Sequence, residues 1–187
     1  MTAVAGSVQR RKVIGVIGSG ATRHEPLARP LGTWIAQQGF HLLTGGGGGV
    51  MAAVGEAFVA VPDRQGLAVG VLPAAPDGPL SGAPPGYPNR WVEMAIRTHL
   101  PLSGIEGSTP MSRNHINVLS ADMLVALPGG PGTASEIQLA ARYGRPCVAF
   151  LTDRAQRLQL PTSVPVAMTL SDLATFVLDR VSGFAEQ

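Results

Sequence analysis

The stretch Leu127-Pro128-Gly129-Gly130-Pro131-Gly132-Thr133-Ala134-Ser135-Glu136 decides the fold of this chain. An apolar run at residues 123–127 precedes it and is typical of a buried strand, and the apolar spacing of residues 137–141 favours a helix. A strand that passes through glycines into a helix presents free backbone N–H groups at the helix N-terminus, where a phosphate is well accommodated. We therefore predict an anion cradle formed by Gly129, Gly130, Gly132 and Thr133.

A second glycine cluster repeats this arrangement upstream. Thr44 is followed by five consecutive glycines and then by a helix-like apolar pattern at residues 50–58. Two such turns suggest two walls of one nucleotide-sized crevice, with Gly45, Gly46 and Gly47 in one wall. The alternative is that the glycines only form tight turns between strands and helices, since glycine serves any position with positive φ. Neither cluster continues into the Gly-Lys-Ser/Thr sequence of a Walker loop.

The rest of the chain alternates strand and helix patterns, which predicts a parallel sheet with helices on both faces. The strand Val13–Ile17 runs into Gly18 and Ser19, a third turn that we include in the nucleotide site. We expect a disordered leader at residues 1–9, one domain over residues 10–187, and a loop or flap at residues 73–89. The predicted helices cover residues 25–38, 50–60, 111–120, 133–143 and 171–181, and the further strands cover residues 40–43, 67–72, 91–96, 123–127, 147–151 and 166–168.

Composition excludes several functions. The net charge of +2 and the 14% of charged residues are too mild to indicate a nucleic-acid or membrane surface. The sequence shows no signal peptide and no apolar stretch of bilayer length, so we expect a cytoplasmic protein. The only lysine, Lys12, lies at the start of the first strand, which argues against a pyridoxal-phosphate enzyme because its cofactor is held on a lysine. The single cysteine, Cys147, is interpreted as a small buried hydrophobe.

Two charged residues are candidates for chemistry, and each has a structural alternative. Arg113 can reach the crevice if its helix crosses the edge of the sheet, or it can be an ordinary exposed helical arginine. Glu136 is expected in or near the first turn of its helix, where it can act as a catalytic carboxylate or simply favour the helix N-terminus. The four histidines show no metal-ligand spacing, so no metal site is predicted. Ser135 lacks the sequence of a nucleophile elbow, and Asp122 is expected to cap or pair rather than react.

Three motifs together resemble the Lonely Guy (LOG) superfamily. They are Thr44-Gly45-Gly46-Gly47 with Gly49-Val50-Met51, Ser112-Arg113-Asn114, and the segment from Pro128 to Glu136. The superfamily includes phosphoribohydrolases that activate cytokinins, proteins labelled as lysine decarboxylases, and a branch similar to molybdenum-cofactor carriers. The resemblance runs from about Val13 to Leu151 and implies a Rossmann-like, doubly wound α/β fold.

In the hydrolase members an arginine before the signature strand and the final glutamate of the signature form the catalytic pair, which the resemblance maps onto Arg113 and Glu136. This chain departs from those members at two places. The hydrolases commonly have Glu-Arg-Lys in place of Ser112-Arg113-Asn114, and two adjacent glutamates in place of Ser135-Glu136. The pair Arg113-Asn114 is more similar to the carrier-like branch, and Asn114 is therefore included among the ligand-binding residues.

Two hypotheses follow. The first is a hydrolase that cleaves the N-glycosidic bond of a nucleoside 5′-monophosphate, AMP-like or a cytokinin ribotide, to free base and ribose 5-phosphate. The second is a carrier that binds a nucleotide or a phosphate-bearing pterin such as molybdenum cofactor without turnover. Neither requires a further cofactor. The resemblance also implies a homodimer or larger homo-oligomer, with the apolar helices at residues 50–58 and 137–143 either at the contact or buried within one subunit.

Overall fold

The predicted alternation of strands and helices is confirmed by a computed structural model, which describes residues 10–78, 81–153 and 160–183. The predicted leader at residues 1–9 lies outside the described residues. The strands are β1 (Val13–Ile17), β2 (His41–Thr44), β3 (Ala68–Leu72), β4 (Met94–Arg97), β5 (Met123–Ala126), β6 (Cys147–Phe150) and β7 (Val166–Ala167). The helices are α1 (Glu25–Gln37), α2 (Val50–Val59), α3 (Asn114–Ser120), α4 (Pro131–Arg142) and α5 (Leu170–Gly183).

These strands form one parallel sheet in the order β4-β3-β2-β1-β5-β6-β7. Helices α1, α2 and α5 pack on one face, and α3 and α4 pack on the other. Neighbouring residues of one strand serve the two cores, as the alternation of side chains requires: Val125 belongs to the first core and Leu124 to the second. The Rossmann-like, doubly wound α/β fold is confirmed.

The order of the strands places the site. The chain leaves β1 toward β2 on one side and later returns to β5 on the other side of β1. The turns after β1 and β5 therefore lie next to each other at the carboxyl edge of the sheet, and the crevice outside such a switch point is where ligands bind in open α/β sheets.

Most predicted bounds differ from the structure by at most one residue, but three elements begin two or three residues from the predicted start, each for a local reason. Helix α4 begins at Pro131 rather than at residue 133, because proline suits the first helical position. Helix α3 begins at Asn114 rather than at residue 111, because an isolated bridge between Leu102 and Ser112 holds the preceding chain. Strand β4 begins at Met94 rather than at residue 91, because Asn89 holds the preceding turn through hydrogen bonds from the Trp91 and Val92 amides.

The apolar helices named as possible subunit contacts are buried within one chain. Val50, Val54 and Phe58 of α2 belong to the core of the first face, and Ile137 and Leu139 of α4 belong to the core of the second. Their apolar pattern is therefore explained by packing on the sheet. Within the described part of the chain, no helix combines the length and the apolar character needed to cross a membrane.

Helices α1 and α2 cross at Gly32. A Cβ atom added there would lie 2.3 Å from the carbonyl oxygen of Val54 and 3.1 Å from the Ala57 Cβ. The first of these contacts is far below a van der Waals separation and involves backbone, which cannot rotate away. Glycine at this position therefore sets how closely the two helices approach.

We predict that Gly32→Ala lowers the free energy of unfolding by about 1–3 kcal/mol, the usual cost of overpacking a core. The higher helix propensity of alanine offsets only about 0.5–1 kcal/mol of the strain. Urea denaturation of both proteins measures the difference. The matched control is Gly20→Ala, whose added methyl group meets only the end of Met51 at 3.8 Å and should change the stability by less than about 0.5 kcal/mol. Equal stability of Gly32→Ala and the parent protein would contradict the close crossing.

Candidate functional site

A cleft of about 340 Å³ lies at the switch point and brings the predicted catalytic pair together. This volume is within the range of small-molecule sites. Of the residues predicted from the sequence, the cleft is lined by Gly18, Ser19, Gly45, Arg113, Asn114, Gly130, Gly132, Thr133 and Glu136.

A larger cavity of about 600 Å³ lies on the other side of the turn after β5. Its lining is mostly apolar and includes Gly129 with Leu127, Ile137 and Leu151, but neither Arg113 nor Glu136. We assign the chemistry to the smaller cleft because ionisable groups converge there. Gly129 lines this cavity and not the cleft in which it was predicted to act, whereas Gly130 and Thr133 line both.

The backbone of Ser19 joins the glycine-rich turns that form the cleft. Its N–H donates to the Pro128 carbonyl oxygen at 3.1 Å, and its carbonyl oxygen accepts from the Val50 N–H at 2.8 Å. Gly49 lies so close that an added Cβ would be 2.2 Å from the Ser19 oxygen. The Ser19 hydroxyl oxygen accepts hydrogen bonds from the Ala21 and Thr22 amides, which shapes the turn itself.

The N-terminus of α4 has the properties of an anion site. No side chain caps it, and the amides of Gly130, Gly132 and Thr133 donate to no acceptor within the described residues. Thr133 is 6% exposed, and its hydroxyl oxygen has no hydrogen-bond partner among the residues described. Unpaired buried polar atoms are costly and uncommon in folded proteins. Amides, helix dipole and hydroxyl together suit a phosphate or carboxylate.

Only one glycine of the second cluster reaches the cleft. An added Cβ at Gly45 would lie 2.1 Å from an Arg113 guanidinium nitrogen, so the arginine rests directly on this glycine. The carbonyl oxygens of Gly46 and Gly47 accept hydrogen bonds from the backbone and side chain of Asn89, and Tyr87 packs against Gly47. Gly46 and Gly47 do not line the cleft. They contact Tyr87 and Asn89, in the segment before β4, instead.

Arg113 is buried rather than exposed on a helix, with 5% of its surface accessible. It is the residue immediately before α3, and its Nη1 atom donates to the Val71 carbonyl oxygen at 3.1 Å. Its buried Nε atom has no partner in the described structure. A positive charge is thus held against the carboxyl end of β3 with hydrogen-bonding capacity left for a ligand.

Glu136 lies in the second turn of α4, because the helix begins at Pro131. It is too far along the helix to cap the N-terminus, so the capping alternative was wrong. The residue is 8% exposed, and its Oε1 atom accepts a hydrogen bond from Asn117 Nδ2 at 3.0 Å. Burial raises the pKa of Glu136; the charge of Arg113 and the hydrogen bond from Asn117 lower it, but burial dominates.

Asn114 is hydrogen-bonded to Ser112 and Ser135, the two serines at positions where the resembling hydrolases commonly have glutamate. Its side-chain Nδ2 donates to the Ser135 hydroxyl oxygen at 3.2 Å, and its backbone N–H donates to the Ser112 hydroxyl oxygen at 3.1 Å. The Ser135 hydroxyl in turn donates to the Gly132 carbonyl oxygen at 2.8 Å. Both serines are buried, and the bond from Asn114 to Ser135 links the start of α3 to α4.

Sequence reasoning missed several residues of the site. Asn117 lies four positions after Arg113, a helical spacing that could have drawn attention to it. Tyr87, Ser103 and Gly104 line the cleft from the loops before and after β4. No periodic pattern marks these loop residues, and only the path of the folded chain brings them to the cleft.

The remaining candidates have structural roles. His115 contacts the Tyr143 hydroxyl at 2.7 Å and the Thr109 carbonyl oxygen at 2.8 Å. Asp122 pairs with Arg10 and accepts a hydrogen bond from the Val13 N–H, as expected. Burial, with a smaller contribution from Glu136, raises the pKa of the Cys147 thiol to about 12, which makes it a poor nucleophile. Among the described residues no three His, Cys, Asp or Glu side chains are grouped to hold a metal ion.

Fold and site together define a Rossmann-like protein with an uncapped helix N-terminus and an arginine–glutamate cleft at its switch point. Residues 11–172 match the model of the SLOG cluster4 family. The chain belongs to that family, and the resemblance to the LOG superfamily is confirmed.

Three relatives show how far the similarity extends. A protein of Archaeoglobus fulgidus, described as uncharacterized, is 34% identical over 134 residues, which are 71% of this chain and 75% of the relative. The structure of a molybdenum cofactor binding protein from Rippkaea orientalis has a TM-score of 0.72 at 28% identity and covers 93% of this chain and 99% of that one. The molybdenum cofactor carrier protein of Chlamydomonas reinhardtii has a TM-score of 0.70 at 29% identity, over 92% and 99% of the two chains.

The raised pKa of Glu136 predicts that its ionisation destabilises the fold. The effect is absent below the unfolded pKa, ordinarily 4.5, grows as the pH rises from there to the higher folded pKa, and is constant above it. Glu136→Gln keeps an acceptor for Asn117 but cannot ionise. We therefore expect it to be more stable than the parent protein at pH 8, with the difference shrinking toward pH 4 in urea denaturation curves.

Asp122→Asn is the control of opposite sign. Burial would raise the pKa of Asp122, but hydrogen bonds from Arg10 and Val13 outweigh it and lower the pKa. Its ionisation therefore stabilises the fold, so the variant should be less stable at pH 8, with the deficit fading as the pH falls through the lowered folded pKa. A difference between Glu136→Gln and the parent protein that does not change with pH would contradict the burial of an ionisable Glu136.

Proposed function

We propose that this protein binds a phosphate-bearing pterin of the molybdenum-cofactor type in the switch-point cleft and acts as a carrier for it. The observation that carries the proposal is the uncapped N-terminus of α4 with the unpartnered Thr133 hydroxyl, placed in one cleft with the buried Arg113. A terminal phosphate supplies acceptors for these donors, and the cleft leaves room for the attached ring system.

Similarity over nearly the whole chain supports the carrier proposal. Both the Rippkaea and the Chlamydomonas proteins are described by their molybdenum-cofactor binding, and each aligns with more than nine-tenths of this chain. The glycine-rich turns that shape the cleft lie inside the aligned family region. The recurrence of the same architecture at 28–29% identity supports a shared ligand class.

The replaced hydrolase positions also favour binding over turnover. Where the resembling hydrolases have additional glutamates, this chain has Ser112 and Ser135, and the hydroxyls of both are engaged with Asn114. A single carboxylate, Glu136, remains in the cleft, and burial favours its neutral form. The cleft therefore has less negative charge to repel an anionic ligand than a site with three carboxylates.

The chain's own groups suggest how the ligand is held. The amides of Gly130, Gly132 and Thr133 would bind the phosphate, and Arg113 would neutralise its charge from the opposite wall. Tyr87, on the loop anchored by Asn89, would cover the entrance. The Thr133 hydroxyl would gain the partner that it lacks in the structure.

Thr133→Val separates ligand binding from folding. The substitution removes a hydroxyl that is unpartnered in the free protein, so we expect stability to be unchanged or slightly increased. Affinity for the pterin should fall by about tenfold, which corresponds to one lost hydrogen bond to a charged group. The measurement uses molybdopterin released anaerobically from a molybdoenzyme, with the retained fraction quantified by pterin fluorescence after oxidation.

Thr175→Val is the matched control, because Thr175 lies on α5 and its hydroxyl donates only to the Ser171 carbonyl oxygen. It should bind as the parent protein does. Mass spectrometry of gently purified protein should also detect a retained phosphorylated pterin. Absence of pterin binding by the parent protein would overturn the carrier function.

A second candidate function is hydrolysis of a nucleoside 5′-monophosphate, and the meeting of Arg113 and Glu136 in one cleft favours it. As the base leaves, positive charge grows at the ribose C1′ and O4′ atoms, and a fixed carboxylate stabilises this charge or activates water. Arg113 would orient the phosphoribosyl group. The raised pKa of Glu136 brings its titration closer to neutral pH than that of an ordinary glutamate, which favours a role as general acid or base.

Incubation of purified protein with AMP, other nucleoside monophosphates and cytokinin ribotides tests this second function by the release of free base. If hydrolysis occurs, Glu136→Gln should lower its rate by about a hundredfold or more. No released base from any of these substrates would exclude the hydrolase, and an unchanged rate in Glu136→Gln would exclude the role given to the carboxylate.

A further inference from the structure

Strand β4 differs from the rest of the sheet because both of its faces are open. All four residues of Met94–Arg97 are exposed, with Met94 at 48% and Ile96 at 39%. Strands of a doubly wound parallel sheet are normally covered by helices on both faces. The described residues therefore leave two large apolar side chains of an ordered strand in water.

The outer edge of β4 is also unpaired. The strand is the last of the sheet and pairs only with β3, so one row of its N–H and C=O groups has no strand partner in the described structure. Such edges are templates for another strand, and proteins usually protect them with lysine, proline or a bulge. The sequence Met-Ala-Ile-Arg contains neither lysine nor proline.

The sequence around this edge is complementary to itself. If two copies of the strand pair antiparallel about a two-fold axis at Ala95, Met94 lies opposite Ile96 of the second copy. Glu93 then lies opposite Arg97 of the second copy. Directly opposed apolar pairs and opposite charges both stabilise antiparallel strands, and the small alanine side chains meet at the axis.

The two charges of this pairing differ in their present contacts, since both carboxylate oxygens of Glu93 already bind groups on the β3 side. Among the described residues no ion pair holds Arg97. Glu93 accepts hydrogen bonds from Arg64 and from the Ala68 amide, which keep its carboxylate in place and help to lower its pKa against the opposing effect of burial. An ionised carboxylate has about four acceptor sites, so it can also receive a second arginine.

We propose that β4 is a self-association surface and that two copies of this chain pair there, antiparallel, with Ala95 on the two-fold axis. The contact is isologous, because each copy offers the same edge. It joins the two sheets into one continuous sheet. The cleft lies at another edge of the fold, and its lining includes none of the residues Met94–Arg97.

Two double variants test both the surface and the register. Met94→Lys/Ile96→Lys places lysine opposite lysine at both apolar pairs, so it should be monomeric at concentrations at which the parent protein is associated. Met94→Glu/Ile96→Lys changes the same residues but places glutamate opposite lysine, so it should regain the parent mass. Light scattering coupled to size exclusion at about 20 µM measures the masses, with the parent protein expected at no less than twice the 19.3 kDa of one chain.

Leu178→Lys is the control, since Leu178 is a 38% exposed apolar residue of α5, away from this edge. It should keep the parent mass, and circular dichroism should show that all variants are folded. A monomeric parent protein, or a double-lysine variant with the parent mass, would overturn the proposal. A monomeric Met94→Glu/Ile96→Lys variant would overturn the register, and association only with a different protein would assign the edge to that partner.

Discussion

The two hydrogen bonds made by the backbone of Ser19 are the constraint on which the site depends. One ties the turn after β1 to Pro128, and the other ties it to the start of α2 at Val50. Each of these turns carries a glycine where no larger residue fits, Gly49 against the Ser19 oxygen and Gly129 against Thr133. The walls of the cleft are thus fixed to one another by backbone, and the uncapped N-terminus of α4 is held open between them.

Inside the cleft, the positive charge of Arg113 only partly offsets the effect of burial on the pKa of Glu136. Arg113 is pinned between Gly45 and the Val71 carbonyl oxygen, and Glu136 is held by Asn117 on the neighbouring helix. The arginine does not fully offset the burial of the carboxyl group, whose pKa stays above its ordinary value. The site can therefore accept an anion without first displacing a bound carboxylate, which fits a phosphate-binding carrier and remains compatible with a general acid.

The sequence predicted the fold well because its signals are local. Apolar runs and glycines mark each strand and turn, and the bounds of β1 were correct to the residue. Arg113 and Glu136 were candidates from their positions near the glycine-rich turns, and the family resemblance assigned them as a pair. Their burial could not be read from spacing. The contact of Asn117 with Glu136 depends on how α3 packs on α4, and the position of Tyr87 in the cleft depends on the path of the loop before β4. Gly46 and Gly47 are instead hydrogen-bonded to Asn89 and do not line the cleft. Such contacts join segments that are distant in the sequence, so no local sequence pattern predicts them.

In the proposed carrier, the buried carboxyl group of Glu136 makes ligand binding depend on pH. An anion entering beside Glu136 adds negative charge to its surroundings and raises its pKa further. At a pH between the free and bound values, each ligand that enters is accompanied by a proton from solution, and each that leaves returns one. A lower pH therefore favours binding of the proposed ligand, and a higher pH favours its release into solution or to a recipient.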